Sequence, residues 1–231
     1  MLLAELEIRH SRAVVPTRRV ALGLHWLPAE PAPGPGGVLL GGLVATHAGA
    51  IDDELLVDLL GLMDDLESGR RIPQPRLRHR FQTDVVGLDR SRHKLVAVGE
   101  ETVFQLDDHG PAIPQVLGAV YAVRNLPPEA RPVVFDVLRR ALRWDGAIDA
   151  ELVNYLRDRR GIGLPWRGLP TDIRWALRLL GFEPESDPEE DDVRRRFRLL
   201  LREVHPDHGA ESEGAGQRIL ELTEARRILL A

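Results

Sequence analysis

Three residues in tandem, His205-Pro206-Asp207, close a run of cations and apolar side chains that begins at Asp192. The proline stops a helix there and leaves an exposed polar corner. Upstream, Arg194, Arg198 and Arg202 recur at i, i+4 and i+8, with Arg195 beside them. On a helix that spacing is a basic stripe, either a solvated face or, beside the corner, part of a binding face. Elsewhere the chemistry-bearing types are dispersed. Asp145, Asp149 and Glu151 lack the full oxygen-ligand spacing of a calcium loop, and helix capping explains them better. His10, His25, His47, His79, His93 and His109 stand singly, with no pair at the four-residue spacing of a helical zinc site. They read as surface or core histidines. There is no nucleophile elbow, no dinucleotide fingerprint, and no Gly-Lys-Ser/Thr after Gly34-Pro35-Gly36-Gly37.

The elements that must hold the corner can be read from period. Val193, Phe197, Leu200, Leu201 and Val204 fall on one face of a helix, next to the arginine stripe. Pro206 ends that helix, because the residue before a proline is pushed out of the α region. A shorter apolar helix precedes it, carrying Trp175-Ala176-Leu177-Arg178-Leu179-Leu180-Gly181, and Asp187-Pro188-Glu189-Glu190 supplies a helix start. A third helix follows, with Ile219, Leu222, Ala225 and Leu229 at helical spacing.

In this order, these segments resemble the J-domain of the DnaJ family. The aromatic followed by Leu-Gly, the basic helix, the His-Pro-Asp corner, and Glu224-Ala225 at the family's usual Glu-Ala-Tyr distance all match without a gap. Arg226 stands where the family often has tyrosine, and Leu199 where a cation is common. The resemblance covers about residues 170–231. It implies a partner, the nucleotide-binding domain and interdomain linker of a DnaK-type chaperone, and a role in promoting that partner's ATP hydrolysis. The residues it singles out for chaperone binding are His205, Pro206, Asp207, Arg194, Arg198 and Phe197. Arg195 and Arg202 join them from the helical wheel. A second, shorter resemblance, to the Asp-Gly turn of TerB-like helical domains, rests on Arg143-Trp144-Asp145-Gly146-Ala147-Ile148-Asp149-Ala150-Glu151.

The rest of the chain predicts an α+β N-terminal region. Residues 5–10 and 19–27 alternate apolar and polar, as strands do. Residues 28–37, rich in Pro and Gly, read as a loop, and 38–47 as either a helix or a buried strand. Asp52 is an N-cap, Ile51 and Leu56 a staple, and the helix they start runs to about Glu67 with a stop near Gly69. Residues 70–80 are a basic linker. Residues 81–88, 94–98 and 102–106 suggest a small antiparallel meander. Helices follow at 113–123, 128–144 and 149–159, and 161–168 is a linker. The domain expectation is therefore 1–110 (α+β), 111–165 (helical, separate or part of the first), and 170–231 (all-α, J-like).

Composition narrows the function classes. The 231 residues carry no cysteine, which excludes disulfides and cysteine zinc sites. A net charge of −5 argues against a general nucleic-acid binder. There is no 18-residue apolar run and no basic n-region ahead of an apolar core, so the expectation is a cytoplasmic protein with no membrane partner. The reading is a non-enzymatic co-chaperone that needs no cofactor or metal, with residues 1–165 selecting a client protein or a location. Two alternatives stand beside it. One is a nucleic-acid-associated protein using the Arg-rich helix. The other is an enzyme in 1–165 with an accessory J-like domain.

Overall fold

The computed structural model describes residues 1–12, 18–157, 173–183, 186–204 and 215–230. It is a mixed α+β protein that divides into two compact units, one of Met1–Ile51 with Asp58–Ile162, the other of Asp52–Val57 with Gly163–Ala231.

In the first unit, β1 (Leu2–His10) sits at the middle of a five-stranded sheet. It is flanked by β2 (Arg19–Trp26) on one side and by the hairpin of β4 (Asp89–Val98) and β5 (Glu101–Gln105) on the other. The two-residue β3 (Arg80–Phe81) closes the far edge, giving the order β3-β2-β1-β4-β5. Strand period decides which side chains face the helices. Ala4, Leu6 and Ile8 on β1 and Leu95 on β4 are fully buried. The opposite face of β1 carries Glu5, Glu7 and Arg9, and there Glu7 sits across from Arg92 of β4 and Glu5 from Lys94. Glu7 accepts from Arg9 Nε at 2.7 Å and from Arg92 Nη2 at 3.1 Å. Burial works to raise its pKa, but the two arginines outweigh that and hold it below the ordinary carboxylate value. Gly23 of β2 leaves room for this carboxylate, since a Cβ there would lie 2.2 Å from Glu7 Oε1.

The sheet is larger than the expected meander, and one expected strand is missing. Residues 82–88 form turns rather than a strand, and β3 pairs with β2 in parallel instead of antiparallel. Asp84, whose Oδ1 accepts from Val86 N at 2.9 Å while its carbonyl accepts from Gln82 Nε2 at 2.6 Å, satisfies the backbone locally and leaves a ladder nothing to add.

A second correction concerns residues 34–37, expected as loop. They form the first turn of α1 (Gly34–His47). Pro35 suits a helix start, and the glycines are there for proximity. A Cβ at Gly36 would fall 2.7 Å from the Leu27 carbonyl carbon, and at Gly41 2.8 Å from Val137 Cγ1. Every residue of α1 from Gly36 to Ala45 is buried. It packs on β1 and β4 and on three further helices, α3 (Ala112–Ala122), α4 (Arg131–Ala141) and α5 (Ala150–Arg157). The helical stretch after Pro111 thus shares its core with the sheet.

α2 (Asp53–Glu67) begins as its cap chemistry dictates, with Leu55 N donating to Asp52 Oδ1 at 2.9 Å, and stops before Gly69 at φ +67°. Asp149 serves α5 in the same way, accepting from Glu151 N at 2.9 Å.

The second unit contains α6 (Ile173–Leu179), α7 (Glu190–Val204) and α8 (Ala215–Leu229). Its core is Ala176, Leu180, Val193, Phe197, Leu222 and Ala225, with Leu200, Leu201 and Leu229 half-buried around it.

Candidate partner-binding face

The face follows from how α7 divides its circumference. Val193 and Phe197, one turn apart, are buried, and α8 meets them with Leu222 and Ala225. Ile219 is fully buried too. Leu199 is 42% exposed, as a position off the apolar face must be. Packing this one face turns Arg194, Arg195 and Arg198 outward, and all three are exposed. Phe197 is a core residue at 8% exposure, capped by the guanidinium of Arg226, whose carbon lies 4.9 Å from the ring centroid. The cation at 226 covers the aromatic face, an arrangement an aliphatic side chain would not provide.

The stripe is not uniformly available. Three acids in the first turn, Glu190, Asp191 and Asp192, favour the helix N-terminus and also engage the arginines. Arg194 Nη2 lies 2.7 Å from Glu190 Oε2, and Arg195 Nη2 lies 2.5 Å from Asp192 Oδ1. Such exposed pairs are worth roughly 0.2–1 kcal/mol each, so a partner's carboxylates can replace them at little cost. Arg198 donates from Nε to the Arg194 carbonyl at 3.2 Å and has no carboxylate partner among the described residues. It is the most available cation of the described stripe. Arg202 lies on α7, but its side chain, like that of Val204, and the corner residues His205, Pro206 and Asp207 are outside the described residues.

Asp145, Asp149 and Glu151 do not assemble as ligands. Among the described residues, the group with metal-ligand geometry is Asp107, Asp108 and His109, two of whose three members are exposed. Asp107 and Asp108 lie 2.8 and 2.9 Å from His109 Nδ1 and raise its pKa.

Reading the histidines singly missed a buried network in the first unit. His10, Ser91, His93 and Gln115 are all at most 4% exposed. Gln115 Nε2 donates to Ser91 Oγ at 3.0 Å, Ser91 donates to the His109 carbonyl at 2.6 Å, and His10 Nε2 reaches Ser91 Oγ at 3.0 Å. His93 Nε2 meets Gln115 Oε1 at 3.0 Å while its Nδ1 accepts from Asp107 N. Burial lowers the His93 pKa, which suits a neutral ring donating from Nε2. The one sequence signal was parity: residues 91, 93 and 95 share a strand face, and two of the three are polar. No protein-family model, curated protein or solved structure matches the chain.

Proposed function

We propose that this chain is a J-domain-type co-chaperone, and that its C-terminal unit docks on a DnaK-type chaperone and stimulates ATP hydrolysis there. The supporting observation is the division of α7, which buries Val193 and Phe197 against α8 while presenting Arg194, Arg195 and Arg198 outward, one turn and more ahead of His205-Pro206-Asp207 in sequence. On this reading α7 and α8 form the helical hairpin of a J-domain. The partner surface is the acidic side of the nucleotide-binding domain and linker. The arginines supply long-range attraction, and the corner makes the specific contact. The first unit selects a client or a cellular location. The chain itself performs no bond chemistry and needs no cofactor, and its setting is the cytoplasm. Among the described residues no helix is long and apolar enough to cross a membrane.

The test is single-turnover ATP hydrolysis by the chaperone with and without the protein. Wild type accelerates hydrolysis. Asp207→Asn abolishes the acceleration with the fold unchanged. Arg194→Ala with Arg198→Ala slows association and flattens its salt dependence, because screened attraction is lost. Equal stimulation by wild type and Asp207→Asn, or none by either where an authentic J-protein works, ends this reading.

A further inference from the structure

At the start of α3 the sequence reads Pro111-Ala112-Ile113-Pro114. A helix N-terminus leaves four backbone donors without an intrahelical partner. Here prolines occupy the cap and the third helical position, so two donors remain, the N–H groups of Ala112 and Ile113. Among the described residues no side chain caps them. Both residues line a cavity of about 250 Å³ in the first unit, together with Arg18, His79 and Ala50. The positive end of the helix therefore faces a half-open cavity, with a cation on its rim.

His79 makes that space a built one. It is 5% exposed, and its Nδ1 donates to the Leu77 carbonyl at 2.7 Å. That bond fixes the tautomer and leaves Nε2 as a lone pair, which has no hydrogen-bond partner among the described residues. Burial, with the nearby charges of Arg18 and His10, lowers the pKa of the ring and keeps it neutral. The turn that delivers His79 is strained. Leu77 and Arg78 sit at φ +45° and +60°, in a two-residue turn closed by both Arg76–His79 backbone bonds. Asp58 holds that turn, accepting from Leu77 N at 2.7 Å and Arg76 Nη1 at 2.6 Å. On the other side, the Ser91–Gln115 bond ties the first turns of α3 to β4. Donors and acceptor are thus each fixed from behind.

We propose that this cavity binds a small carboxylate that also carries a hydroxyl group. The carboxylate accepts from the Ala112 and Ile113 N–H groups and from Arg18. The hydroxyl donates to His79 Nε2. A short branched aliphatic remainder lies against Ile113, Pro114 and Ala50. Arg12 also lines the cavity, but it is already paired with Asp89 at 3.2 Å, so Arg18, exposed and without an acidic partner among the described residues, is the cation that matters.

The experiment is an NMR titration of the full chain with 2-hydroxyisovalerate, isovalerate and inorganic phosphate, following the Ala112 and Ile113 amides and the His79 ring. Saturable shifts at all three residues are expected with the hydroxy acid. Isovalerate, lacking the donor for His79, binds about tenfold more weakly or worse. Arg18→Ala, at an exposed position, weakens the hydroxy acid by about tenfold through loss of a charge-assisted bond. Ala112→Pro, tolerated at a first helical position, removes one donor and weakens it as well. Absence of saturable shifts overturns the proposal, as does an unchanged affinity in Arg18→Ala. Equal affinity for isovalerate removes the role of His79, and phosphate binding more tightly than either acid removes the carboxylate.

Discussion

The helices α1 and α7 are nearly equal in length, 14 and 15 residues, and bury themselves in opposite ways. α7 has one apolar face and an outer surface of charge. α1 is enclosed from Gly36 to Ala45 and is apolar or glycine on every side. What differs is the currency of packing. α7 gains by inserting large side chains, of which Phe197 is the bulkiest apolar one. α1 gains by omitting them, so that the Leu27 backbone, Val137 and Leu156 come within reach of its axis. A helix of the first kind is damaged by truncation, and one of the second kind by addition.

That contrast can be broken at four positions. The largest effect belongs to Phe197→Ala, which should cost about 3–5 kcal/mol in a denaturant melt of the C-terminal unit, since a ring at 8% exposure leaves a cavity. A loss under about 1 kcal/mol would mean that Phe197 is not a core residue. Gly36→Ala comes next, at about 1–3 kcal/mol, because its Cβ meets backbone of Leu27 that cannot swing aside. Helix propensity alone predicts the reverse sign for that change, so the melt separates the two effects. Gly61→Ala in α2 supplies the control. Nothing lies within 4 Å of a Cβ there, and the protein should gain up to about 1 kcal/mol. The smallest change is Leu199→Ala, expected within about 0.5 kcal/mol because the residue is exposed. A large loss there would rotate the assigned face of α7.

The same contrast explains what could be read from the amino acids alone. α7 was legible because one-sided burial writes a period into the sequence, and the positions picked for its apolar face include Val193 and Phe197, which are buried. α1 left no period. Its Gly34-Pro35-Gly36-Gly37 start carries the composition of a loop, and only the neighbours that crowd it reveal why glycine is needed. β3 is not legible because two parallel ladder pairs leave too short a pattern to show pairing direction. The cavity at the start of α3 was invisible for another reason. Its groups come from positions 18, 79 and 112–113, and the conformation that aims His79 depends on Leu77 and Arg78, residues with no intrinsic preference for positive φ. The buried histidines cannot be read one at a time, because their partners lie on other elements, His10 bonding to Ser91 81 residues away.

The central place of β1 also sets a timetable for synthesis. Its register runs from His10 opposite Asp89 to Leu2 opposite Val96, so the first strand made waits for one made much later. A ribosome adding 5–20 residues per second needs roughly 4–16 s to span that interval. During it, β1 has only β2 to pair with, and an isolated hairpin is marginal in water. The β4 edge of β1 stays unpaired through the delay, while α1, made soon after β2, is the element at hand to pack on the strand. The first unit therefore waits on a pairing distant in sequence, whereas α6, α7 and α8 pack through contacts close in sequence.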